Sequence, residues 1–176
     1  RQRQMCIRDR WKIYEIRWME ADELENNLTV LFVEMVNKAG DCFSQTFTLS
    51  GPGKGNISDQ DEAGGLSGKL DFEKVKGLTP ASINVEAIRK QYEEAKAMIP
   101  ENYTFKSIGD YLIQETVPSG NEFLDRNKTF GEVKAEFSMN ITENGKEIVE
   151  SAGKKSVQYY EVTSVSYTHL TLPTIA

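Results

Sequence analysis

The chain has 176 residues, a formal net charge of −6 and a hydrophobic fraction of 39%. That length fits one domain or two small ones, and the acidic balance argues against nucleic acid as a partner, because phosphate neutralisation needs a basic face. No run of apolar residues approaches the length required to span a bilayer, so no transmembrane segment is expected.

The opening string RQRQMCIRDR has the charge of a basic arm, but no apolar stretch follows to make it a signal peptide. The closing string VSYTHLTLPTIA bears on it directly. Back-translated as GTC TCT TAT ACA CAT CTG ACG CTG CCG, its first nine residues have a reverse complement that encodes RQRQMCIRD. Arg1–Asp9 and Val165–Pro173 are therefore inverse partners at the nucleotide level, and both strings resemble translations of a transposon-end sequencing adapter. The resemblance implies that about residues 1–10 and 165–176 are adapter-derived, and that the biological segment is a metagenomic fragment whose own ends, signal region included, lie elsewhere. Met5 and Ile7 are accordingly expected to take no part in a core.

Setting those ends aside changes the chemistry. Without Arg1, Arg3, Arg8, Arg10 and Asp9, the remainder keeps 17 basic and 26 acidic residues, a net charge of −9. The single histidine, His169, and one of the two cysteines, Cys6, belong to the end strings. Nucleophile–histidine pairs, histidine-held metals and an internal disulfide are thus not expected. Cys42, alone on an amphipathic strand, reads as a small packing residue.

In chain order, WKIYEIRWME alternates with Tyr14, Ile16 and Trp18 on one face, which predicts a strand. ADELENN is a polar connection, and LTVLFVEMV reads as a strand buried on both faces. NKAGD supplies a turn, and CFSQTFTL alternates again with Phe43, Phe47 and Leu49 inward. Residues 11–49 thus predict a three-stranded antiparallel meander. Residues 50–82 begin with a Gly-rich acidic stretch that reads as a long loop or linker.

A helix is predicted over about 85–98. Asn84 is its N-cap, Ile83 and Ile88 form a hydrophobic staple, and Ile88, Tyr92, Ala95 and Ile99 make the apolar stripe. Pro100 ends it. YTFKSIGDYLIQET then reads as a strand bent near Gly109. GEVKAEFSMNIT places Val133, Ala135, Phe137, Met139 and Ile141 on a core face, with Glu132, Lys134, Glu136, Ser138 and Asn140 on a wet one. Asn144-Gly145 marks a tight hairpin, and KKSVQYYEVT is the final strand.

The expected fold is therefore α+β: mainly antiparallel strands in two βββ sets, with one amphipathic helix packed on the sheet. The second set, with its helix, spans 83–164. The layout is loosely similar to tandem α-βββ modules of exported bacterial proteins, such as PepSY-like domains and β-lactamase inhibitor proteins. The resemblance rests on element order alone, so it carries over no site residue. A repeat of that kind would place a further helix before Trp11.

Three stretches invite a site. GGLSGK resembles the end of a phosphate loop, but Gly64 to Gly68 is one residue short and Leu70 stands where a hydroxyl would hold magnesium. DQDEAG starts like a calcium loop, with Asp59, Asp61 and Glu62 as candidate ligands, yet Ala63 and Leu70 fall where oxygens belong. No cofactor is expected. Glu132, Lys134 and Glu136 could do acid–base work in a pocket, but an alternating charged face is ordinarily the solvated side of a sheet.

Trp18, Tyr159 and Tyr160 are the candidate aromatic contact patch. Five N-x-S/T triplets, at Asn27, Asn56, Asn102, Asn127 and Asn140, suit a polar extracellular-style surface. These features together predict a non-enzymatic binding or structural module of an exported bacterial protein, outside the cytoplasm, with a protein or glycan ligand. The alternative is a carboxylate-based hydrolase or enzyme subdomain, which needs no histidine.

Overall fold

The computed structural model describes residues 10–20, 24–63, 69–118 and 122–167. Most of both end strings, Met5 and Ile7 included, and the phosphate-loop-like Gly64–Gly68 lie outside the described residues. Val165–Tyr167 lie within them and continue the last strand.

Both strand triplets belong to one seven-stranded sheet, and the structure is α+β with antiparallel pairing throughout. In chain order its strands are β1 (Trp11–Glu20), β2 (Leu28–Asn37), β3 (Cys42–Thr48), β4 (Asp61–Glu62), β5 (Tyr103–Glu115), β6 (Val133–Glu143) and β9 (Tyr160–Tyr167). The spatial order is β4-β3-β2-β1-β5-β6-β9. β7 (Ile148–Ser151) and β8 (Lys154–Val157) form a separate exposed hairpin, and helix α1 spans Val85–Ala97. The meander β1-β2-β3 forms as its alternation predicts. Pairing of β1 with β5 joins the two triplets.

α1 forms for the local reasons visible in its sequence. Asn84 Oδ1 accepts the Ala87 amide at 3.0 Å. Ile83, Ile88, Tyr92, Ala95 and Ile99 all pack into the larger core, with Tyr111, Ile113, Phe137 and Met139 of the sheet beneath them. The helix stops at Ala97, just before Pro100.

A smaller core gathers Tyr14, Val36, Cys42, Ala63, Leu70 and Val75. The connection from β4 to α1 supplies Ala63, Leu70 and Val75 to it, then crosses the end of the sheet. Leu78 donates its amide to the Ile13 carbonyl at 2.6 Å. Buried Glu115 accepts the Lys76 and Gly77 amides at 2.8 and 2.6 Å. Leu78 and Ile83 then join the larger core. The stretch read as a linker is therefore a wrap that serves both cores, with a 3-10 turn at Phe72–Lys74 and another at Pro80–Ser82.

Several details depart from the sequence pattern. Tyr14 does not share a regular face with Ile16 and Trp18. The β1–β2 register passes from Ile13↔Met35 to Glu15↔Glu34, leaving Tyr14 as the extra residue of a β-bulge. It is buried in the smaller core, whereas Trp18 packs on the larger one. Leu49 is 39% exposed, beyond the end of β3, and Cys42 is the buried residue at that strand's start.

The wet face expected for β6 is also buried in part. Ser138, Asn140 and Thr142 are covered, and bulges in β5 around Lys106 and Gly109 bring polar partners to Ser138 and Asn140. Asn140 donates to Ser107 Oγ at 3.0 Å, and Ser138 donates to Asp110 Oδ1 at 2.5 Å. Ser107 in turn donates to Glu20 at 2.9 Å. Burial of Asn140 takes that triplet off the surface.

Asn144-Gly145 does turn the chain, but β6 pairs with β9 rather than with the next strand. The hairpin closes at Ala152-Gly153, both with positive φ, and Gln158 seals its base on the Glu147 carbonyl. KKSVQYYEVT is thereby split between β8 and β9. Among the described residues no helix is long and apolar enough to cross a membrane.

Candidate functional site

The cavity of interest lies at the C-terminal end of α1, where the helix overhangs the β9 side of the sheet. Ala95, Met98, Ile99 and Pro100 form one wall, Met139 and Ile141 of β6 the floor, and Tyr159–Ser164 the other wall. Tyr103 stands at one end, and the cavity volume is about 510 Å³.

Its construction follows from register. Pairing of Ile141 with Tyr160, Met139 with Val162 and Phe137 with Ser164 puts those β9 side chains on the same face as the buried β6 residues. Pro100 ends the helix, and its carbonyl accepts the Tyr103 amide at 2.9 Å, turning the chain straight into β5. Tyr103 and Tyr160 then meet edge to face, with ring centroids 5.8 Å apart at 83°.

The helix is tied to this wall by Gln91. Its Nε2 reaches the Ser164 carbonyl at 3.4 Å and the Ala135 carbonyl at 3.5 Å, while the Tyr111 hydroxyl donates to its Oε1 at 3.2 Å.

The groove is apolar inside and charged only at its margin. Met139 and Ile141 are 1% and 4% exposed, whereas Met98 and Tyr160 at the mouth are 45% and 41% exposed. Lys146 donates to Glu143 at 2.7 Å. That bond raises the lysine's pKa, with smaller contributions from Tyr160 and Tyr103. Glu161 is the one carboxylate in the lining.

Of the three aromatics read as a contact patch, the structure brings Tyr159 and Tyr160 to this groove. Trp18 is elsewhere, edge-on to Tyr111 in the larger core. Tyr103 and Met98 complete the mouth and were not singled out by sequence, and Ile99, read as part of the helix's apolar stripe, joins them; the signal available was a tyrosine three residues past a helix-ending proline.

The calcium candidates Asp59, Asp61 and Glu62 are exposed, and Asp61–Glu62 pairs with β3 as β4. Side chains alternate along a strand, so these two neighbours diverge. Among the described residues no group of three or more His, Cys, Asp or Glu side chains could hold a metal ion. Lys134 and Glu136 pair at 4.0 Å on β6. Neither lines the groove, nor does Glu132.

Compared with known proteins, no family model matches the chain, no curated protein matches it and no solved structure matches it.

Proposed function

We propose that this chain is a non-enzymatic binding module of an exported bacterial protein, and that the groove between α1 and β9 is its docking site. The observation that carries the reading is the half-exposed Tyr160–Tyr103 pair at the mouth of a cavity with a buried Met139–Ile141 floor. Aromatic anchors over a desolvated apolar pocket are where binding energy concentrates in protein interfaces.

A protein partner fits better than a glycan. Sugar recognition needs several convergent hydrogen-bonding side chains, and here Ser164 is already engaged with Gln91. An apolar or aromatic side chain of a partner needs none. The acidic composition, the single core cysteine and the exposed asparagines Asn27, Asn56, Asn102 and Asn127 of four N-x-S/T triplets support an extracytoplasmic setting. The hydrolase alternative finds less support at the groove, since paired-carboxylate hydrolysis uses two acids across the substrate and the lining offers Glu161 alone.

The test is calorimetric titration with short peptides carrying tryptophan, phenylalanine or leucine anchors, run beside neutral oligosaccharides. Peptide binding should weaken by about tenfold or more in Tyr160→Ala and Met98→Glu, a loss of about 1.4 kcal/mol. Peptide affinities indifferent to both substitutions, or binding of the saccharides alone, would overturn the reading.

A further inference from the structure

A second feature, independent of the groove, lies between β1 and β2. The bulge at Tyr14 sets Glu15 directly opposite Glu34. Opposed residues of an antiparallel pair have Cβ atoms about 4.5–5.5 Å apart, and like charges at that spacing repel. Glu15 is nevertheless only 6% exposed.

The groups around this pair do not neutralise it. On β1, Arg17 reaches Glu15 Oε1 at 3.3 Å with one nitrogen and Asp110 of β5 at 3.9 Å with another. On β5, Gln114 donates to Glu15 Oε2 at 2.6 Å, which aligns the carboxyl without adding charge. On β3, Ser44 stands opposite Glu34, and the Cys42 thiol is its nearby titratable neighbour. Tyr14 turns its hydroxyl toward Glu34 and Cys42.

Lys12 of β1 and Lys134 of β6 are engaged elsewhere. Lys134 of β6 pairs with Glu136, and Lys12 donates to the Phe72 carbonyl at 2.8 Å while lying over that ring. One guanidinium therefore serves Glu15 and Asp110 together, and among the described residues Glu34 has no basic ion-pair partner.

We infer that the pairing of buried Glu15 with Glu34 is a pH-responsive clasp between the central strands β1 and β2, closed while Glu15 holds a proton and loosened by like-charge repulsion when Glu15 ionises. The smaller core of Tyr14, Val36 and Cys42 adjoins the clasp, so loosening would act on that core and on the wrap that covers it. Burial first, and Glu34 second, push Glu15 above the ordinary carboxylate range; Arg17 and Gln114 pull the other way and are outweighed. For a pKa raised on folding, the stabilisation is complete below the unfolded value and is lost as pH rises through the folded one.

The test compares the full chain with Glu15→Gln and Glu34→Gln by thermal unfolding from about pH 4 to 8, together with carboxyl-carbon NMR titration of Glu15. Glutamine keeps the shape and removes the charge. Glu15→Gln should raise Tm relative to the unsubstituted chain at the alkaline end, with the gain vanishing at the acidic end. Glu34→Gln should lower the Glu15 titration midpoint. A Tm difference constant across pH, or a Glu15 that titrates at or below free glutamate, would overturn the clasp. If Glu15→Gln does not fold, the Glu15 midpoint in the unsubstituted chain and in Glu34→Gln decides alone.

Discussion

Trp18 of β1 stands directly opposite Tyr111 of β5, with ring centroids 6.4 Å apart at 63°, and this pair sits on the seam where the two strand triplets become one sheet. Tyr111 stacks in turn on Phe137 of β6 at 5.7 Å, so an aromatic row runs across three strands beneath α1. The triplets are therefore expected to unfold together. Trp18→Ala should cost about 3 kcal/mol by analogy with other aromatic core truncations. Urea denaturation followed by far-UV circular dichroism and by tyrosine fluorescence should give coincident single transitions in both chains. A residual structured triplet in Trp18→Ala would show that the halves are separable.

Tyr111 also gives the larger core a signature at alkaline pH. Burial pushes its pKa up to about 12, while the unfolded side chain ionises near its ordinary value of 10.0. A tyrosine whose folded pKa is raised adds stability that is complete below the unfolded value and is lost as pH climbs through the folded one. Burial also pushes the Tyr14 phenol up, so absorbance titration of the phenolates should show at least two tyrosines fewer ionising near pH 10 in the native chain than in denaturant. Tyr111→Phe should remove one of those late-titrating groups. Its loss of the Gln91 hydrogen bond should cost about 1 kcal/mol.

Glu115 holds the wrap where it passes from one core to the other. It is 1% exposed and accepts two backbone amides, those of Lys76 and Gly77. Glu115→Ala would leave both donors facing a void, with an expected cost of about 3 kcal/mol. Hydrogen exchange should then speed up most at Lys76–Leu78. Unchanged protection there would refute the role.

Gly40 marks a backbone approach that a side chain cannot enter. Its φ is +86°, and a Cβ at this position would lie 2.5 Å from the Leu70 carbonyl oxygen. Gly40→Ala should destabilise by about 2 kcal/mol or more through the left-handed backbone and the clash combined. Gly145, with φ of +81° and open space around it, should tolerate alanine better. Equal losses at the two positions, read from urea midpoints, would mean that the wrap does not depend on contact at Gly40.

How much of this was legible depends on how local each cause is. α1 could be read in full, because Asn84, the Ile83/Ile88 staple and Pro100 all lie within one short segment. The meander was legible from alternation and turn residues. The Tyr14 bulge was not, since Tyr14, Ile16 and Trp18 alternate in sequence whether or not β2 is offset against them. Asn144-Gly145 announced a turn correctly, but turn chemistry does not say which strand pairs next.

Acidic residues concealed most. Nothing local marks Glu115 or Glu20 as bonded: the amides bound by Glu115 lie in a segment distant in sequence, and Glu20 accepts from Ser107 across the sheet. The groove was half legible: Tyr159 and Tyr160 stood out as adjacent aromatics. Tyr103 and Met98 join them only because helix, β5 and β9 converge.

The docking role of the groove is tested most directly by methyl NMR of the full chain during titration with a tryptophan-bearing peptide. The account predicts that shifts will concentrate on Met98, Ile99, Met139, Ile141 and Val162, and will be abolished by Tyr160→Ala. Shifts confined to Ile13, Val33 and Val36 around the smaller core, or spread evenly over the surface, would contradict it.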